Sequence, residues 1–466
     1  MMRQMRNNTM PSTTSRGMNP SHERRRRPIG APPATTIGRR ARGRPTRINI
    51  REIKKNEYRL VYSDSRRAQK LLCLWRIMRV LYTTMRPSSE SARAGGIGLF
   101  AKLFARHMPE ANIDVTGLAL MSGGERKPHG LEEIAPGVLS FRLEGSPYRL
   151  LQDWNGSELP PELTTYVEPL ARALTRKRAD LVFLVGFGVE QWLVAQAAAL
   201  RRIPVAISHH GVLAAEAGVS GYDTYPPGAR RLLIRMERDV SEQAAVRIFL
   251  NQWSRDQFSL LHNINARPRS RIIPIPYNDV FDEPVPLTRG WTRAPMNVGW
   301  VARWDRIKRP SLVAQTASAS PRRWRWNAVT TIRETASVPE ATRKQFVRRF
   351  RVLEPMSPTR LADFYAKTDA LMLPSAFDVS PTVVLEAALR GRLTVLSKHT
   401  GWTDAYREAE LDHLLCDSTP SAMLAALESA RDDREGTERL RTLLRERHEP
   451  ARVFAAHAKA FRDALS

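Results

Sequence analysis

From Met78 onward, short apolar and β-branched segments alternate with longer amphipathic ones, and the alternation runs twice along the chain. In the first series the strand-like segments are residues 80–83, 114–120, 181–185, 204–208, 247–250 and 271–274. Helical stretches such as 98–106, 161–178 and 190–200 lie between them. A Pro-rich stretch, 283–295, reads as a linker. The second series then places strands at 296–301, 328–332, 370–373 and 393–396, with helices to the end. A short run of buried character followed by a helix is the pattern of parallel sheets covered on both faces. The expected architecture is therefore α/β, with two Rossmann-like domains facing each other across a cleft. Ligands of such sheets bind at the carboxyl ends of the strands.

The expected domains are an Arg-rich extension over 1–77, a first Rossmann-like domain over 78–287 and a second over 288–448. A final helix, 449–466, is expected to cross back onto the first domain. The chain carries a net charge of +27, but residues 1–77 alone hold 20 Lys and Arg against 4 Asp and Glu. The excess thus belongs mainly to a segment with few aromatics and no apolar periodicity, which cannot offset its ordering entropy and is expected to be disordered. It says little about what the folded part binds. Two cysteines, Cys73 and Cys416, build neither a disulfide framework nor a Cys-x-x-Cys metal site. No Asp-x-Asp at a strand end, no phosphate-binding Gly-x4-Gly-Lys loop and no His/Cys cluster is present, so neither a metal nor a cofactor is expected. No run of 18 apolar residues suggests a spanning helix, and a cytoplasmic setting is expected.

The most informative segment is LPSAFDVSPTVVLEAALRG, residues 373–391. It reads as a strand end, a loop and a helix, with Ser380 as N-cap, Pro381 at the first helical position and Gly391 as a left-handed C-terminal cap. Free backbone N–H groups near Thr382 and Val383, at the positive end of the helix, suit a diphosphate. Asp378 and Glu386, eight residues apart, are better placed to accept hydrogen bonds from sugar hydroxyls than to meet phosphate. Upstream, VGWVARWDRIKRP (298–310) sets Arg303 and Lys308 in the loop after a strand. Fixed cations there would stabilise the charge on a departing diphosphate. In the first half, IPVAISHHGV (203–212) ends a strand with two histidines and a glycine, and RPSSESARAGGIGLF (86–100) brings Gly95 and Gly96 before a helix.

The frame Pro-Ser…Pro…Val-Val-Leu-Glu-Ala…Gly around Asp378 and Glu386 resembles the Glu-x7-Glu element of the retaining glycosyltransferases of family 4, which have the GT-B fold. The spacing of Arg303 and Lys308 is similar to that family's basic pair, although Ala302 and Arg309 stand where it usually has glycine. The resemblance implies that Glu386 binds the ribose, that Asp378 faces the donor sugar, and that Arg303 and Lys308 hold the leaving diphosphate. It picks His210 over His209 as the active-site histidine and makes Gly95 and Gly96 part of a loop near the donor or acceptor. Ser380, Pro381, Thr382 and Val383 complete the implied donor site. Asp378 replaces a glutamate, which shortens the reach by one methylene and leaves the preferred sugar open. Met78 followed directly by a strand also resembles the opening of many bacterial sugar transferases, so residues 1–77 are either a real arm or the product of a mis-assigned start.

The expected activity is transfer of a hexose from a UDP- or GDP-linked sugar to an acceptor hydroxyl with retention and without metal, in polysaccharide or glycolipid synthesis. A sugar-nucleotide epimerase of the same fold and a protein that binds nucleic acid through its basic tail are the alternatives. Residues 229–238, ARRLLIRMER, read as either a surface helix or a segment lying on an anionic membrane.

Overall fold

The structure is a computed structural model. It describes residues 77–84, 95–122, 130–156, 158–219, 225–283, 295–332 and 338–466. The extension up to residue 76, the segment 86–94 ahead of Gly95, residues 123–129 and most of the linker lie outside the described residues.

Two sheets carry the fold. The first contains β1 (Met78–Thr83), β2 (Ile113–Ser122), β3 (Leu131–Ala135), β4 (Val138–Leu143), β5 (Leu181–Val185), β6 (Val205–His209), β7 (Val246–Phe249) and β8 (Ser270–Ile272). Their order is β3-β4-β2-β1-β5-β6-β7-β8, and only the β3–β4 pair is antiparallel. The second sheet contains β9 (Asn297–Val301), β10 (Arg325–Val329), β11 (Phe350–Leu353), β12 (Ala370–Leu373), β13 (Leu393–Ser397) and β14 (Leu415–Cys416). Its order is β11-β10-β9-β12-β13-β14, all parallel. Strands such as Leu181–Val185 and Leu393–Ser397 are buried at every residue, which is why they read as unbroken apolar runs.

Three differences from the sequence reading have local causes. The hairpin β3–β4 turns at Pro136 and Gly137, whose φ of 70° suits glycine, but its first strand is mostly exposed and too polar to stand out. β11 begins directly where helix Glu340–Arg349 ends, with no turn residue to separate them. The helix expected over 161–178 is two helices, Pro161–Thr165 and Val167–Lys177. Pro169 has no N–H to donate to the Thr165 carbonyl, and the break falls at Tyr166 between them.

Helix Pro450–Leu465 packs Val453, Phe454, Ala458 and Phe461 into the core beneath the first sheet, against Val80, Phe100, Phe104 and Phe183. His457 stands within that aromatic cluster, its ring centroid 5.5 Å from that of Phe100 and 5.9 Å from that of Phe183. Its Nδ1 meets the Val453 carbonyl at 2.9 Å, and its buried Nε2 has no partner among the described residues. Burial lowers its pKa from 6.5 to about 4. The unfolded chain therefore takes up this proton more readily, so the contribution of a neutral His457 is lost as pH falls below 6.5. His457→Phe should change little at pH 7. At pH 5 it should be the more stable protein by about 2 kcal/mol, read as a gap in melting temperature that opens on acidification.

Candidate active site

Strand order reverses between β1 and β5 in the first sheet and between β9 and β12 in the second. Chains leaving a sheet on either side of such a reversal part in opposite directions and leave a crevice at the strands' carboxyl ends. The loop after β9 carries Arg303 and Lys308, and the loop after β12 carries Asp378. The Ala376 N–H donates to the Ile307 carbonyl at 2.7 Å, which joins the two loops. Asp305 caps the 3₁₀ turn Arg306–Lys308 by accepting from the Ile307 N–H at 3.0 Å. Arg309, next along, has φ 49°, the left-handed conformation for which glycine is better suited. Its guanidinium is tied to the Ser418 hydroxyl.

Lys308 and Asp378 form an ion pair in which both side chains are largely withdrawn from solvent, at 13% and 14% exposure. Ser375 Oγ donates to the same Asp378 oxygen at 3.1 Å. Arg303, five residues before Lys308 on the same loop, is exposed. The Asp378 backbone is pinned to the turn after β13, its N–H donating to the His399 carbonyl and its carbonyl accepting from Gly401, both at 3.0 Å.

The helix that follows spans Thr382–Leu389, one residue later than expected. Pro381 is its N-cap, with ψ 116°, and no side chain caps the end, so Ser380 is not the cap. The Pro381 carbonyl accepts from Val384 N–H at 3.1 Å and from Trp402 Nε1 at 3.2 Å. Holding that carbonyl between two donors fixes Pro381 in the extended position. Ser380 lines a separate cavity of about 410 Å³ with Asn251, Trp402, Asp404 and Arg447. Gly391, at φ 72°, closes the helix through its N–H to Ala388 at 2.9 Å. Val383 is half-buried near the helix start. Glu386 is buried, and its carboxylate accepts from Tyr365 Oη at 2.8 Å and is hydrogen-bonded by Thr382. Burial pushes its pKa up, and these two partners oppose the shift.

The opposite wall comes from the first sheet. A Cβ built on Gly96 would lie 3.1 Å from Thr382 Cγ2, so the start of helix Gly95–His107 backs directly onto the Thr382 helix. Helix Leu213–Val219, after β6, packs on the turn Arg306–Lys308. Asn251, after β7, donates from Nδ2 to the Val379 carbonyl at 2.7 Å, and the Trp253 and Phe377 rings meet at 4.9 Å. Gly401 leaves room for that bond, since a Cβ there would collide with both the Val379 carbonyl and the Asn251 amide. Gly401→Ala should therefore destabilise the protein by about 2 kcal/mol. Urea denaturation should show it as a lower midpoint with an unchanged slope.

The structure treats the paired histidines differently. His209 is buried in a polar network, with Nε2 3.2 Å from Ser241 Oγ and its ring stacked 4.9 Å from Phe249. Glu237 Oε1 stands 3.8 Å from its Nδ1. His210 turns toward Phe100, with ring centroids 5.0 Å apart, and its buried Nε2 has no partner among the described residues. Burial, with His457 and His209 adding to it, holds its pKa down at about 3.

Lys308 and Asp378 thus meet in one pair just ahead of the Thr382 helix, with Gly96 against that helix, Arg303 on the same loop as Lys308, and Glu386 bonded to Thr382 behind. Sequence reading passed over Glu237, His262, Tyr365 and Asn251, each of which acts through a partner at least 21 residues away. It also passed over Glu216, which stands with the cations.

Residues 95–278 match the glycosyl transferase 4-like domain family. The chain is 23% identical over 357 residues to D-inositol 3-phosphate glycosyltransferase of Acidothermus cellulolyticus, covering 72% of this chain and 77% of that protein. Among solved structures, sucrose-phosphate synthase from Thermosynechococcus elongatus superposes with a TM-score of 0.62 at 16% identity, over 83% of this chain and 98% of that one. Anabaena HepE in complex with UDP and glucose superposes with a TM-score of 0.57 at 15% identity, over 82% and 99%. The family match falls on the first sheet, whereas the paired acids and the cations belong to the second. Taken together, the chain has the GT-B fold of these solved structures and is similar to GT4-type glycosyltransferases over both halves.

Proposed function

We propose that the chain moves a hexose from a nucleotide-diphosphate sugar to an acceptor hydroxyl, with retention of configuration and without a metal ion. The observation that carries this reading is the Lys308–Asp378 pair just ahead of the Thr382 helix, with Arg303 on the same loop as Lys308. Two cations and free helical N–H groups suit a diphosphate, and they would stabilise it most as it departs with full charge. Asp378 and His210 would face the sugar, and Glu386 the ribose. Glu386 would then exchange its present bonds to Tyr365 and Thr382 for bonds to ribose hydroxyls. Retention rests on the likeness of the Asp378–Glu386 frame to that of the retaining family.

The complex of HepE with UDP and glucose supports a UDP-linked donor. A cell-surface polysaccharide or glycolipid would be the acceptor by the motif resemblance. The name of the Acidothermus relative adds a phosphorylated polyol as a second acceptor class. A thermal-shift panel of UDP-, GDP- and ADP-sugars on the full chain tests the donor. A ligand at a hundred times its dissociation constant adds about 2.7 kcal/mol to the folded state, which is readily seen. The absence of a shift with every sugar nucleotide would sink the proposal. With the donor known, the anomeric configuration of the product, read by NMR, tests retention.

A further inference from the structure

Glu216 is an acid on the first-sheet wall of the crevice. It lies on helix Leu213–Val219, which follows the His210 loop and packs against the turn Arg306–Lys308. Its carboxyl rests on the backbone of Gly211, where an added Cβ would overlap Oε1 and lie 3.1 Å from Cδ. That places the group on the backbone of the loop after β6, on a helix that packs against the cation turn. Charges act on it from three sides: Arg303 and Lys308 from the loop after β9, Asp378 from the loop after β12, and Glu237 from helix Pro227–Gln243 behind, while helix Gln252–His262, which also packs on this helix, adds none. A second carboxylate acting on these cations, in addition to Asp378, would compete further with a bound diphosphate for the same charges. A neutral carboxyl removes that competition, since its O–H can donate a hydrogen bond to a phosphate oxygen.

We propose that Glu216 is a further donor-binding residue of the transfer centre, and that in its protonated form it hydrogen-bonds a phosphate oxygen of the bound sugar nucleotide. This rests on the sugar-nucleotide reading above. The environment favours that form. Burial raises the Glu216 pKa to about 7, with Glu237 and Asp378 adding to the shift and Arg303 and Lys308 opposing it. A bound diphosphate would occupy those two cations and add like charge, which favours the protonated acid further. Binding therefore takes up a proton at neutral pH, and donor affinity should fall as pH rises above 7. The diphosphate of a sugar nucleotide is a diester and does not titrate in that range. His210, with its pKa held near 3, stays neutral throughout it.

The test is calorimetric titration of the full chain with UDP-glucose, GDP-mannose and ADP-glucose between pH 6 and 8.5, using the parent, Glu216→Gln and Glu216→Ala. For the sugar nucleotide that binds, the parent should weaken about tenfold over this range. Glu216→Gln, which carries a permanent N–H donor, should bind at pH 8.5 at least as tightly as the parent and lose the pH dependence. Glu216→Ala should bind several-fold more weakly than the parent at pH 6. An alkaline fall in Glu216→Gln equal to the parent's, or full affinity in Glu216→Ala at pH 6, overturns the inference and leaves the proposed donor untouched. Failure of the parent to bind any of the three at any pH removes both.

Discussion

Alanine in place of Lys308 should lower the rate of sugar transfer by two to three orders of magnitude, and Arg303→Ala should follow it closely. A bond between a sugar and a diphosphate breaks with negative charge gathering on the leaving oxygens. Fixed cations stabilise that charge more than they stabilise the ground state, and loss of one preorganised donor typically costs about 3 kcal/mol of barrier. Lys308 is the better placed of the two. It is seated on a capped turn, tied to the Asp378 loop through Ile307 and Ala376, and shielded from water that would weaken its field. Its charge is met by Asp378, so donor binding requires that pair to share or exchange partners. Lys308→Ala removes the cation and leaves Asp378 with Ser375 alone at that oxygen. The rate at saturating donor should therefore fall more than donor affinity does. Initial rates over a range of donor concentration separate the two effects, and a turnover number within threefold of the parent's would refute the assignment.

Much of the fold is legible in the chain because its strands are buried on both faces. A parallel strand covered by helices has no polar alternation to hide it, and Leu181–Val185 and Ala370–Leu373 coincide with the apolar runs residue for residue. The half-exposed β3 and the two-residue β14 lack that signature. The second-sheet residues of the site are legible for a related reason. Loops at the carboxyl ends of strands near a reversal point must face the crevice, so Arg303, Lys308 and Asp378 can be placed once the strands are. Caps are harder to read. Ser380 before Pro381 has the composition of an N-cap, but the competing bond from Trp402 to the Pro381 carbonyl, set by packing 21 residues away, moves the start of the helix. What stays hidden is whatever depends on two distant segments meeting. Glu216 has no motif around it, and its place on a helix against the turn Arg306–Lys308 follows only from the packing of one wall on the other. Glu237 reads in the chain as one charge in a basic helix, yet it is 1% exposed.

That burial sets the second large expectation, for stability. Glu237→Ala should destabilise the protein by about 3 to 5 kcal/mol, because it takes the shared acceptor out of a buried polar network. One carboxylate oxygen accepts from the Leu213 N–H at 3.0 Å and meets His262 Nε2 at 2.9 Å, and the other stands 3.8 Å from His209 Nδ1. Burial pushes the Glu237 pKa up, but the two histidines outweigh it and hold the carboxyl below its ordinary range, so it is ionised at neutral pH. Alanine would leave a helix-starting N–H and the His262 ring nitrogen in the core without their partner, and would take the nearby charge from His209. Glu237→Gln keeps an oxygen for Leu213 and should cost less. Because folding lowers this pKa below 4.5, the ionised carboxylate contributes fully above that value, and its contribution fades as pH falls through the folded pKa. The gap between the parent and Glu237→Ala should accordingly be widest near pH 7 and narrow in acid, read from urea midpoints. Leu213 also opens the helix that carries Glu216, two residues beyond Gly211 and three beyond His210. A loss of stability that leaves transfer unchanged in the folded fraction would show that the network holds the core alone. A parallel fall in turnover would show that it also positions the histidine loop.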